Sequence, residues 1–409
     1  MASEQERPPV FLTRLRVESY RSIASCDVSL GPLTVLAGPN AAGKSNVLDA
    51  IRFVRDALQS SPGRALERRG GLEEVLHRDA SGGQADVFRI QMDLDIPASR
   101  GPAFKAAYLL EVGTRPDSDD PGPVLRREEL RINGRLQADA FIPELAGEHL
   151  VSWRDDILLP QASRTSREAG TVFRSLTHMR FYELLTPVLR AVDDTPQRRG
   201  DRPLGESGEH LGRVLDALSR EHPWVKDTVD GYLATMIDNA VGLDGVEVRE
   251  ADLAFVVGRF LGGEGQVVKV DRRALSEGTL RLAGVLAALF QPRALRGSIP
   301  LIALEEPEIS LHPPMLGALY DALAAAARNT QVMVTTQSAD LLDNAAADPS
   351  HLLVARDDGA GTVIGPIDPA GRQLLADGVL TLSELLRSGE LRPATPSARR
   401  ADQGEDSER

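Results

Sequence analysis

The segment Gly38-Pro39-Asn40-Ala41-Ala42-Gly43-Lys44-Ser45 lies between an apolar run, Leu33 to Ala37, and a stretch of helical periodicity. No other segment restricts the fold so strongly. A GxxxxGK[ST] pattern placed between a buried strand and a helix is a phosphate-binding loop. Gly38 and Gly43 permit a tight turn whose N–H groups converge on an anion, with Asn40 in the same loop. Lys44 is expected at the β- and γ-phosphates, and the Ser45 hydroxyl in a Mg²⁺ shell. The chain holds four lysines, Lys44, Lys105, Lys226 and Lys269, among abundant arginines, so the one inside the glycine loop stands out. The helix is predicted to begin near Lys44, to carry Val47, Leu48, Ile51 and Val54 on one face, and to stop before Ser60.

A second apolar run, Ile299 to Leu304, ends in Glu305-Glu306. Adjacent strand residues point in different directions, so two carboxylates there can take separate tasks. Glu305 is the candidate to hold Mg²⁺, and Glu306 the candidate to orient and deprotonate a water that attacks the γ-phosphate. Pro307, Pro313 and Pro314 make the following segment a shaped loop.

Around these motifs the pattern reads as α/β. Leu12–Tyr20 alternates like a strand with one solvated face, Cys26–Leu30 reads as another strand, and Phe88–Ile96 and Ala107–Val112 suggest strands of a second sheet. The stretch Arg131 to Asn133 ends at a turn. Longer helical patterns occupy Phe173–Val192 and Leu211–Ile237, separated by Asp194–Gly208, a polar stretch with Arg198, Arg199 and Arg202 that reads as a mobile surface loop. Strand rhythm returns at 246–248, 253–257 and 266–270. Helices are expected at Thr279–Phe290, Met315–Ala327 and Leu380–Leu386, and short strands at Leu301–Leu304, Val332–Thr335, Leu352–Ala355 and Val363–Ile364. The single cysteine, Cys26, forms no intrachain disulfide and fits a small buried site near the first sheet.

The charge balance, 47 Lys and Arg against 60 Asp and Glu, gives a net charge of -13. That is no broad basic footprint for nucleic acid, although an uneven distribution leaves DNA binding open. No apolar run reaches the roughly eighteen residues of a membrane span, and the N-terminus is not signal-like, so the chain is expected in the cytoplasm with no membrane partner.

Five blocks in order resemble the ABC-type ATPase heads of the RecF, SMC and overcoming-lysogenization-defect families, and more narrowly the compact bacterial AAA family ATPases. They are Leu15 to Ser22, the P-loop, Leu275-Ser276-Glu277-Gly278-Thr279-Leu280-Arg281, Leu304 to Pro313, and Thr335 to Asp343. The resemblance implies an ATP-binding and ATP-hydrolysing P-loop fold of ABC-head type, with a two-sheet nucleotide-binding core and an inserted mostly helical lobe. It places Arg21 and Ser22 near the nucleotide and makes Ser276 and Gly278 an ABC signature, presented to the γ-phosphate of a second subunit in an ATP-dependent homodimer. A Ser–Gly turn at a helix start suits an anion on physical grounds as well.

The implied layout is a flexible arm at 1–9, the first part of the core at 10–136, the inserted lobe at 137–240, the second part at 241–391 and a disordered tail at 392–409. Two features depart from the family pattern. Glu305 stands where an Asp is common, and Gln337 where a switch histidine follows the two threonines. Glutamine donates a hydrogen bond but cannot shuttle a proton, so turnover is expected to be slow. Gln91 is one candidate for the family's Q-loop. Function stays open between an ATP-driven dimer in DNA repair, recombination or anti-phage defence and a regulatory module acting on a separately encoded effector, with a transporter ATPase a weaker third.

Overall fold

The computed structural model describes residues 10–97, 102–114, 123–141, 157–195 and 202–394. The arm at 1–9, residues 395–409, and Arg198 and Arg199 lie outside them. In chain order the described strands are β1 (Leu12–Tyr20), β2 (Ile23–Ser29), β3 (Leu33–Ala37), β4 (Val87–Ile96), β5 (Phe104–Thr114), β6 (Pro123–Ile132), β7 (Arg135–Phe141), β8 (Arg180–Tyr182), β9 (Ala240–Val248), β10 (Leu253–Leu261), β11 (Val267–Asp271), β12 (Leu301–Glu305), β13 (Gln331–Thr336), β14 (Leu352–Asp357) and β15 (Thr362–Gly365).

They form an antiparallel sheet ordered β2-β1-β4-β5-β6-β7, a three-stranded sheet β11-β10-β9, and a mainly parallel sheet β15-β14-β3-β13-β12-β8. Every residue of β3 is buried, and its side chains alternate between two cores. Leu36 joins the core shared with the antiparallel sheet, while Leu33, Val35 and Ala37 join the core under the helices Leu211–Glu221, Glu277–Phe290 and Leu316–Ala326. A strand covered on both faces must be nearly all apolar, as this one is, and its one polar side chain, Thr34, accepts from Gly31 N–H. The helix Lys44–Gln59 buries Val47, Leu48, Ile51 and Val54 in the first of these cores, where it meets β1 and β4. Among the described residues no helix is long and apolar enough to cross a membrane.

The uneven spacing of buried positions in β1 has two local causes. A register shift against β4 between Leu12 and Arg14 carries the buried set from Leu12 to Leu15, and Ser19, at φ 56°, re-aims Tyr20 inward. The turn after β6 is Asn133-Gly134, both at positive φ, which suits a tight hairpin.

Several expectations are corrected. The pattern at Phe173–Val192 is not one helix. The helix Arg167–Thr177 ends before β8, which pairs with β12, and a short helix follows at Thr186–Arg190. Phe181 and Tyr182 belong to opposite cores, which a strand permits and a helix does not. Thus the stretch expected to be mostly helical contributes an edge strand to the nucleotide-binding sheet. The Leu211–Ile237 pattern breaks at Pro223, which has no N–H to donate, giving helices Leu211–Glu221 and Pro223–Met236.

The described part of the expected mobile loop is anchored. Leu204 is fully buried with its N–H on the Gln291 side chain, and Glu206 pairs with Arg55. Residues 392–394 are held too, since Asp368 N–H donates to Arg392 O and Ala394 N–H to Pro366 O. Gln91 is a β4 residue whose amide donates to Asp93, so nothing here ties it to the P-loop.

One buried side chain helps to tie the two large sheets. Gln331, fully buried at the start of β13, accepts from Leu12 N–H at 2.8 Å and donates to Leu12 O and Gly31 O, each at 2.8 Å. Replacing it by leucine keeps the apolar packing but strands two carbonyls and one N–H in the interior. Gln331→Leu is expected to lower unfolding stability by about 2–4 kcal/mol, since each buried polar group left unpaired costs roughly 1–3 kcal/mol. Chemical denaturation followed by circular dichroism measures it, and a midpoint equal to the unmodified chain's contradicts the clamp.

Candidate functional site

The glycine loop leaves the C-terminal end of β3 and runs directly into the helix Lys44–Gln59. Its geometry requires glycine twice. A Cβ on Gly38 would lie 2.2 Å from the Ala355 carbonyl oxygen of β14. Gly43 caps the helix at φ 82°, where a Cβ would fall 2.1 Å from Thr362 Oγ1 and 2.7 Å from Ser22 Oγ. Asn40 and Ser45 are exposed on the loop. Lys44 is buried and its ammonium donates to Gly38 O and Pro39 O, both at 2.9 Å. Burial lowers the Lys44 pKa, and the charges of Glu306 and Glu308 oppose that shift.

Glu305 ends β12, paired across the sheet with Thr335. Its carboxylate accepts a hydrogen bond from Ser45, the two residues expected to share a divalent cation. Burial raises the Glu305 pKa, with Glu183 and Asp49 adding to the rise and Arg52 opposing it. Hard oxygen donors of this kind suit Mg²⁺, which tends to take one or two protein oxygens and complete its shell with phosphate and water. The chain then turns sharply: Glu306 sits at φ 41°, and its N–H donates to Thr335 O at 3.1 Å. That turn separates the two neighbouring carboxylates. Gln337, just past β13, donates from Nε2 to Glu306 Oε2 at 3.1 Å. Glu306, Gln337 and Lys44 therefore surround one locus.

Sequence reasoning gave no role to Glu308, yet it is the most buried acid there. Thr336 Oγ1 donates to its Oε1, while Oε2 is buried without a partner. Burial raises its pKa, and the nearby Glu306 charge adds to the rise. The one signal available was a third acid, set between Pro307 and Ile309 just after Glu305-Glu306.

Arg21 and Ser22 form the β1–β2 turn, with Arg21 at φ 50°. Arg21 pairs with Asp49 of the P-loop helix at 2.9 Å. Ser22 Oγ accepts from Asn46 Nδ2 at 2.6 Å and lies 2.6 Å from Thr362 Oγ1. Ser22 thus stands against the loop, whereas Arg21 meets the P-loop helix one turn further on. Arg21 also lines a cavity of about 310 Å³ with Asn46, Glu73, Glu74, Leu76 and Arg78.

Ser276 is the N-cap of the helix Glu277–Phe290, accepting from Thr279 N–H at 3.1 Å. A Cβ on Gly278 would come 2.6 Å from Ser310 O, and Ser310 Oγ donates to Glu277 at 3.2 Å. Among the described contacts, Ser276 and Gly278 meet Thr279 and the 306–311 loop, not the P-loop of their own chain.

The raised Glu308 pKa fixes a sign. The folded chain keeps a proton that the unfolded chain releases, so this carboxyl's contribution is complete below its unfolded pKa and is lost as pH rises through the higher folded one. Glu308→Gln preserves the acceptor for Thr336 and removes the ionisation. It is expected to raise the denaturation midpoint of the nucleotide-free chain at about pH 8 and to change it little at about pH 5. Equal shifts at both pH values would contradict the assignment.

A family model described as "AAA domain, putative AbiEii toxin, Type IV TA system" matches residues 33–343. An OLD nuclease of Thermus scotoductus is 24% identical over 79% of this chain, which spans 58% of that relative's length. The DNA replication and repair protein RecF of Gloeobacter violaceus is 24% identical over 82% of this chain and 94% of its own. Among solved structures, an SMC head bound to the C-terminal winged-helix domain of ScpA superposes with a TM-score of 0.55 at 12% identity, over 87% of this chain and 97% of that one. The fold is that of an SMC/RecF-like ABC-ATPase head, and the chain belongs to the AAA domain family whose model spans its core from β3 to beyond Gln337.

Proposed function

We propose that the chain hydrolyses ATP slowly at a site completed by a second copy, and that the resulting cycle of association and release serves DNA repair, recombination or defence against foreign DNA. The observation that carries the reading is the convergence of Lys44, Ser45, Glu305, Glu306 and Gln337 on one glycine loop. In this reading the loop N–H groups and the N-terminal dipole of the helix Lys44–Gln59 receive the phosphates, and Lys44 exchanges its two carbonyl partners for phosphate oxygens. Ser45 and Glu305 would hold Mg²⁺, which would supply neutralising positive charge beside the phosphates. Glu306 takes a proton from the attacking water, and Gln337 keeps the Glu306 carboxylate in place. Because Gln337 cannot carry a proton at neutral pH, Glu306 alone serves as base, consistent with slow turnover. Ser276 and Gly278, directed away from their own loop, supply hydroxyl and N–H donors to the nucleotide of the partner copy.

The names of the RecF and OLD relatives support the nucleic-acid setting. A second reading, a nucleotide-controlled module that docks a separate effector, has the support of the SMC head structure, in which a ScpA domain is bound. DNA binding measured with and without ATP across a salt series separates the two readings. A DNA complex weakens as salt rises, whereas an effector module copurifies with a protein and shows little preference for DNA.

Glu306→Gln keeps the shape and the acceptor for Gln337 but removes the base. Single-turnover hydrolysis is expected to fall by about 10²–10⁴-fold with nucleotide affinity retained, and the ATP-bound dimer to live longer. Hydrolysis at the unmodified rate with nucleotide bound would exclude Glu306 as the base. In the same frame, Ser276→Arg should leave nucleotide binding by the monomer intact and abolish ATP-dependent dimerisation. Light scattering with and without ATP reads this, and a variant that dimerises and turns over normally refutes the role of the signature.

A further inference from the structure

A second cavity, of about 490 Å³, opens beside the helix Lys44–Gln59 and is walled almost wholly by charge. Six arginines face three carboxylates there, a local surplus of cations on a chain whose net charge is -13. The carboxylates are already shared. Asp49 takes Arg21 at 2.9 Å and Arg69 at 2.8 Å, Asp56 takes Arg55 at 2.7 Å and Arg69 at 3.1 Å, and Glu206 takes Arg52 at 3.2 Å as well as Arg55. Arg68 and Arg180 are left with no ion pair among the described residues. Arg68 is exposed, and Arg180 has its Nε buried without a hydrogen-bond partner.

A partly buried guanidinium such as Arg180, whose Nε lacks an acceptor, forfeits hydrogen bonds it would have in water, so a network serving packing alone would supply one. Here each acid is spent on two arginines, and two further forks open into the same space. We propose that this cavity is an anion site separate from the P-loop, taking a ligand that bears at least two phosphate groups, with Arg180 and Arg68 as its direct contacts and Arg52 beside them. The planar guanidinium meets phosphate through two parallel N–H donors, and a ligand with two phosphates matches two unpaired forks. Two sources carry that chemistry, the phosphodiester backbone of DNA and a free polyphosphate. Arg21 lines both this cavity and the smaller one beside Asn46, so the two sites share a wall. The site makes no use of Lys44 or Glu306 and stands whether or not ATP is hydrolysed.

The test uses the full chain saturated with ADP, with Mg²⁺ in excess of all phosphate, so that the P-loop is filled. Inorganic tripolyphosphate is titrated calorimetrically and a short DNA duplex by fluorescence anisotropy. At least one probe should bind, and Arg68→Ala/Arg180→Ala should weaken that binding by roughly tenfold or more while leaving ADP affinity unchanged, since charge-assisted contacts are the strong ones. Binding of tripolyphosphate alone assigns the site to a free polyphosphate. Duplex binding with a salt dependence that flattens in the variant assigns it to the nucleic-acid backbone. Should the double variant lose its thermal midpoint, Arg68→Ala alone decides, because that side chain is exposed and unpaired. The proposal falls if neither probe binds the ADP-loaded chain, or if the folded variant binds both as tightly as the unmodified one.

Discussion

The site rests on the confinement of the P-loop helix between two sheets. Its apolar face packs against the antiparallel sheet, while its first residues continue β3 of the parallel one. The Gln331 amide holds those sheets together at Leu12 and Gly31, beside the strand that leads into the loop. With both ends of the loop fixed in this way, the glycines have no alternative path. Gly38 is pressed to the backbone of β14, and Gly43 to the side chains of Ser22 and Thr362. The cradle is preorganised by packing at some distance from it, and its N–H groups need no rearrangement to point at an anion.

From that fixed cradle a short continuous path leads to the signature. The Lys44 ammonium senses Glu306 and Glu308, Gln337 holds Glu306, and Thr336 holds Glu308. Two residues further on, Ser310 contacts both Glu277 and Gly278. Rearrangement at Lys44 therefore bears on the 306–310 segment, whose backbone is already bent at Glu306 and Ser310, both in the left-handed region. This ties what happens at the nucleotide to the surface expected to meet a second copy.

Much of this was legible in the sequence, and what was not shares a cause. The P-loop, the strand ending in two acids and the Ser276 cap are local patterns, each set by a few consecutive residues. They appear where the motifs placed them. Gln331 and Glu308 act through contacts that lie 319 and 28 residues away, and no periodicity announces either. Strand β8 spans three residues, too few for an alternation to register, and was absorbed into a neighbouring helical pattern. The spacing of β1 suggested a strand despite its irregularity, but the bulge and the left-handed Ser19 that reconcile it belong to tertiary structure. The stretch at 202–208 looked mobile from its polar composition. It is pinned because Leu204 fills a core position and Glu206 answers Arg55, a partner that composition does not reveal.

Net charge, too, leaves placement open. An excess of acidic residues argues against a broad nucleic-acid surface, yet it says nothing about where the cations sit. Around the cavity of about 490 Å³, Arg52 and Arg55 come from the P-loop helix, Arg68 and Arg69 from the end of the short helix Pro62–Glu67 that follows it, and Arg180 from β8. The helical spacing brings Arg52 and Arg55 to one side, and the fold adds the others. A dense positive site is thereby built within an acidic chain, on the helix that carries the phosphate loop. Charge arranged so closely acts over about a Debye length of 8 Å at physiological salt, and over that range the local surplus, not the distant excess of acid, decides which ligand is attracted.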